Sequence, residues 1–78
     1  MKRGLRKRSV SLAGHATSLA LEPEFWAVLE DLAGVRGVSL ARLIAGLDAE
    51  RADGPLASAC RLAALRFARG QVSGAAVC

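Results

Sequence analysis

The chain has no tyrosine, one tryptophan, one histidine and two cysteines among 78 residues. Each scarcity narrows the chemistry. A single histidine, His15, has no second ligand at a useful spacing. No Ser/His/Asp or Cys/His arrangement stands out, so the chain is expected to be no enzyme and to hold no metal or cofactor. Two cysteines build no disulfide framework. Cys60 lies in an apolar helical pattern and reads as a small core residue, and Cys78 reads as an exposed thiol. That usage suits a reducing, cytoplasmic setting. No apolar run approaches the length of a membrane span, so no membrane partner is expected. Acids are absent from the first 21 residues. That absence fits a targeting peptide, but His15, Thr17, Ser11 and Ser18 interrupt the apolar stretch.

What is present is unevenly spread. The net charge is +4, from eleven basic and seven acidic residues. Lys2, Arg3, Arg6, Lys7 and Arg8 supply five of the positive charges, and the remainder is near neutral. Residues 1–8 therefore read as a basic, flexible arm of the kind that binds nucleic acid. A domain over residues 9–69 and a flexible tail over 70–78 complete the expected organisation. A single core of this size is marginal and gains from a partner.

Thr17 to Leu21 alternates as a short strand, with Thr17, Leu19 and Leu21 on one face and Ala16, Ser18 and Ala20 on the other. Ser9 to Ala13 also alternates, and Gly14-His15 has turn or bulge character, but so few residues leave this segment open between strand and irregular chain. Pro23 opens a helix to Arg36 with Phe25, Val28, Leu29, Leu32 and Ala33 at helical spacing, and Gly37 suits a left-handed cap. Ser39 suits the N-cap of a second helix to Arg51, with Leu40, Leu43, Ile44 and Leu47 as its stripe. Gly46 inside that helix suggests a close helix–helix approach. Asp53-Gly54-Pro55 breaks the chain before a third helix, from about 55 to 69, that is apolar over a wide arc because Leu62 and Leu65 lie off its main stripe.

The run from Leu21-Glu22-Pro23-Glu24-Phe25-Trp26 through Leu29, Leu32, Ala33, Gly37, Ser39, Leu40, Leu43 and Ile44 resembles the ribbon-helix-helix family of DNA-binding proteins, with the Arc- and MetJ-like fold. The likeness covers residues 16–51. Residues 9–69 resemble the branch with an added C-terminal helix. The resemblance implies a mainly α fold with one short strand, in an intertwined homodimer whose strands pair into a two-stranded antiparallel ribbon. It implies a bacterial-type transcription regulator whose partner is double-stranded DNA. Groove-facing positions would be Ala16, Ser18 and Ala20; Ser39 and the amides of Leu40 and Ala41 would anchor a phosphate; Thr17, Leu19, Leu21, Phe25, Leu29, Leu40, Leu43, Ile44 and Leu47 would form the dimer interface. Two alanines and one serine read few bases. Affinity is then expected from the basic arm, with His15 near its exit. Five phosphate contacts correspond to a log–log salt slope of about −4 to −5 per chain. Two rivals stand beside this reading. One is an antitoxin-like dimerisation module with a protein partner and no base reading. The other is a helix-turn-helix over residues 32–43 that places Arg42 in the groove.

Overall fold

The computed structural model describes residues 4–51 and 53–77, the side chains of 71–77 excepted. Its elements are two strands, β1 (Arg6–Leu12) and β2 (His15–Leu21), then three helices, α1 (Pro23–Arg36), α2 (Leu40–Glu50) and α3 (Leu56–Val77). The strands form one antiparallel hairpin running from Arg6 opposite Leu21 to Leu12 opposite His15. This corrects the expectation of one short strand: the segment before β2 is itself a strand and pairs with it. It also shortens the expected arm, since Arg6, Lys7 and Arg8 are strand residues.

A two-residue turn closes the hairpin, with positive φ at both central positions, 51° at Ala13 and 85° at Gly14. That is the type I′ arrangement, whose twist matches that of the flanking strands. The pair that closes the turn, Leu12 opposite His15, sets the alternation of the whole ladder. One face of the hairpin is apolar: Val10, Leu12, Leu19 and Leu21 are buried against the helices.

Pro23 fills the first position of α1, and the Glu22 carbonyl accepts from the Phe25 and Trp26 amides at 2.9 and 3.2 Å. Gly37 ends the helix at φ 70°, while Val38 N–H reaches back to Ala33 C=O at 3.0 Å. This is the left-handed cap that the sequence suggests. Ser39 caps α2, its hydroxyl accepting from the Arg42 amide at 3.1 Å. Arg51 holds the link to α3 by pairing with Asp48 at 2.8 Å and donating to Gly54 C=O.

The core joins the hairpin's apolar face to Trp26, Leu29, Leu32 and Ala33 of α1, Leu43 and Ile44 of α2, and Cys60 and Ala64 of α3. Cys60 and Ala64, four residues apart, let α3 lie close to its neighbours. Leu62 and Leu65 fall on the far side, each 50% exposed. The helix runs past Arg69 to Val77, in place of the expected flexible tail. Gly46 is exposed and a Cβ there meets nothing within 4 Å, so close approach does not account for it, and nothing else in the structure does. Among the described residues, no helix is long and apolar enough to cross a membrane.

Candidate nucleic-acid interface

Alternation along each strand sorts the hairpin into two faces. The register sets Lys7 opposite Ala20, Ser9 opposite Ser18, and Ser11 opposite Ala16, and these six side chains share the face turned away from the core. Five of them are exposed and Ala20 is half-buried. Ala16, Ser18 and Ala20 thus lie together on the outer face of the hairpin. Sequence reasoning expected Lys7 in the binding arm but missed Ser9 and Ser11, and only strand pairing brings all three alongside. The resulting surface is shallow and polar, with one long side chain. Residues 6–21 contain no acid, so nothing on the hairpin itself repels a polyanion.

The basic residues expected to act together are divided by the pleat. Lys7 points outward. Arg8 belongs to the inner face, where both terminal guanidinium nitrogens lie 3.0 Å from Glu30 Oε2 and the group stacks 4.8 Å from the centroid of the Trp26 ring. Trp26 is buried and donates its indole N–H to Arg6 C=O at 2.8 Å. The Arg8–Glu30 pair is roughly half exposed, with side chains at 41% and 52%, so it adds at most about 1 kcal/mol. Its geometric effect is larger: stack, ion pair and indole bond together hold the start of β1 against α1. Arg6 is exposed at that edge. His15 is exposed beside the turn, on the inward-facing row opposite Leu12. Lys2 and Arg3 lie outside the described residues.

At the α2 N-terminus the Ser39 hydroxyl is committed to the helix cap. The first amides of a helix, here those of Leu40 and Ala41, lack intrahelical partners. No acid lies in the first turn of α2, which leaves the positive end of its dipole uncompensated by a side chain there. Arg42 is exposed in the same turn.

Of the residues expected at a dimer interface, Leu19, Leu21, Leu29, Leu43 and Ile44 are buried within the single chain. Thr17, Phe25, Leu40 and Leu47 are half-buried. The buried ones belong to the core of the chain, and Phe25, Leu40 and Leu47 pack against it. Among the described residues, the large apolar side chains left exposed are Leu5, Val35, Leu62 and Leu65.

Two further groups bear on the chemistry. Arg61 of α3 donates to the Glu22 carboxylate at 2.9 Å and sits 5.7 Å from the Phe25 ring centroid, pinning α3 to the junction of β2 and α1. The Arg61 hydrogen bond, followed by one from a backbone amide, holds the Glu22 carboxyl below the usual glutamate range. Burial pushes the Cys60 thiol up, which keeps it protonated and a poor nucleophile. Among the described residues, no group of three or more His, Cys, Asp or Glu side chains is placed to hold a metal ion.

No curated protein matches the chain. Among solved structures, an uncharacterised protein from Bordetella pertussis Tohama I is similar, with 34% sequence identity and a TM-score of 0.76. The match covers 92% of this chain and 62% of that one, so the chain spans a little under two thirds of its relative's length. The ribbon-helix-helix domain signature matches residues 5–68, which takes in the hairpin and most of the three helices. On that match, the chain belongs to the ribbon-helix-helix domain family.

Proposed function

We propose that the protein is a homodimeric DNA-binding transcriptional regulator that lays the outer face of its hairpin in the major groove. The observation that carries this reading is the hairpin face itself: two strands wide, acid-free, and lined by Lys7, Ser9, Ser11 and Ser18. Strands about 4.8 Å apart fit a groove about 12 Å wide. The α2 amides of Leu40 and Ala41 offer a phosphate contact beside it. Lys7 adds a charged contact, together with Arg6 at the edge.

The groove also constrains the dimer. Joining two hairpins edge to edge would make a four-stranded sheet with a backbone roughly 14 Å across, too wide to enter. The two copies instead dock through the helical layer, where Leu62 and Leu65 of α3 are exposed. Sizing the wild type against a Leu62→Lys, Leu65→Lys variant tests this contact, and an unchanged oligomer would refute it.

Fluorescence anisotropy on a mixed-sequence duplex tests the DNA reading. Affinity falls as salt rises, and Lys7→Ala makes the log–log slope shallower by about 0.9 per chain. No binding at low salt, or binding indifferent to salt, overturns it. One observation favours a second reading, a protein-interaction module without base reading: β2 offers the outer face a single hydrogen-bonding side chain, Ser18.

A further inference from the structure

The helical layer carries a groove that DNA binding by the hairpin leaves unused. Two open hollows of about 200 and 290 Å³ adjoin on it, and Arg36, Leu47 and Glu50 line both. No hairpin residue lines either one. The floor is apolar: Leu32 of α1 is buried, and Leu47 of α2 and Phe67 of α3 are half-buried. The rim is charged. Arg42 stands at one end and Arg66 at the other, with Arg36 and Glu50 between them, all four exposed. Among the described residues, the arginines paired with carboxylates are Arg8, Arg51 and Arg61, so the three groove arginines are left to face solvent.

Gly46 lies in the wall of the first hollow. A glycine in mid-helix weakens α2 relative to alanine. A Cβ at 46 meets nothing within 4 Å, so no neighbour within the chain requires the glycine. The missing side chain instead keeps the hollow open beside α2, where the backbone of a guest can lie close. Ala63 keeps the α3 wall of the second hollow similarly low.

The chemistry of the walls selects the guest. A nucleic-acid strand would set phosphates against Glu50 and gain little from Leu47 and Phe67. A second copy docked across a twofold axis would bring the arginine rim against itself. An amphipathic helix suits every part. Its anchors at i, i+3 or i+4, and i+7 fill an apolar floor, and carboxylates along its edges meet guanidinium groups.

We propose that the groove between α1, α2 and α3 takes one amphipathic helix of a partner protein. That helix is apolar along the face laid on Leu47 and Phe67, with carboxylates opposite Arg42 and Arg66 and a hydrogen-bond donor opposite Glu50. The hairpin contributes nothing to the groove, so occupying one leaves the other free.

The test uses the full chain and a displayed library of helical peptides, with leucine fixed at the anchor positions and random residues at the flanks. Fluorescence anisotropy then measures the enriched peptides on the wild type and on variants. The expected peptides are acidic at their flanks. Gly46→Gln fills the first hollow and Arg66→Glu reverses the rim of the second, and each weakens binding about tenfold or more. Glutamine is the better helix former, so Gly46→Gln raises Tm while it blocks the groove, which separates lost binding from lost fold. Lys7→Ala, on the hairpin, leaves peptide affinity unchanged. Enrichment of neutral or basic peptides, no enrichment, or binding indifferent to Gly46→Gln overturns the proposal. A change of oligomeric state in either groove variant also overturns it, because the groove would then be a contact between copies.

Discussion

Ala13 is the described non-glycine residue with positive φ, at 51°, and it occupies the first central position of the hairpin turn. An L-residue with a Cβ pays roughly 1–2 kcal/mol for left-handed backbone. Asparagine tolerates that region and is the preferred residue before glycine in a type I′ turn. Ala13 is exposed, so the substitution disturbs no packing. Ala13→Asn is therefore expected to stabilise the protein by about 1 kcal/mol. In a domain of this size that raises Tm by roughly 4–8 °C. Gly14→Ala is the reciprocal test. Its φ is 85° and a Cβ there meets nothing within 4 Å, so any loss comes from the backbone alone and should reach about 1 kcal/mol. Thermal melts followed by far-UV circular dichroism read both changes. A lower Tm for Ala13→Asn, or no response to either substitution, would refute the turn, and with it the pairing of β1 with β2 in one chain.

Three other perturbations probe the packing. Leu29→Ala empties a fully buried site in the core and should cost about 2–5 kcal/mol, a large share of the stability of so small a domain, measured by urea unfolding. Trp26→Phe leaves the Arg6 carbonyl without its indole donor and should cost about 1–3 kcal/mol, with faster amide exchange at the start of β1 than in α2. The Glu22–Arg61 pair contributes stability above the ordinary glutamate pKa and loses it as pH falls through the lowered value in the folded protein. The Tm gap between wild type and Glu22→Gln should accordingly close on acidification.

The helices were largely legible from local chemistry. Pro23, Gly37 and Ser39 are punctuation whose physics acts within a few residues, and α1 spans the range they imply. The hairpin was less so. Ser9 to Ala13 carried the alternation of a strand, but Ala-Gly is a weak turn signal beside Asn-Gly, and nothing local says that the strands on either side of it pair. Arg6, Lys7 and Arg8 read as a solvated charge run, because the contacts that make them strand residues are distant: Trp26 and Glu30 lie about twenty residues away. The same gap explains the candidate interface. Ala16, Ser18 and Ala20 could be assigned to one face from period alone, whereas Lys7, Ser9 and Ser11 join them only through the register. It also bears on the residues expected at a dimer contact. Leu19, Leu21 and Ile44 are buried in the core of the single chain, packing that spacing along the sequence does not reveal.

The two-residue turn also decides how the protein folds in time. A ribbon shared between two chains forms only when they collide, so its rate depends on concentration and a newly made chain must wait for a mate. Here the strands are linked by Ala13 and Gly14, and zippering is a local, first-order event on the scale of about 1–10 μs for an isolated hairpin. Dilution should therefore leave the rate at which the hairpin and its outer face form unchanged.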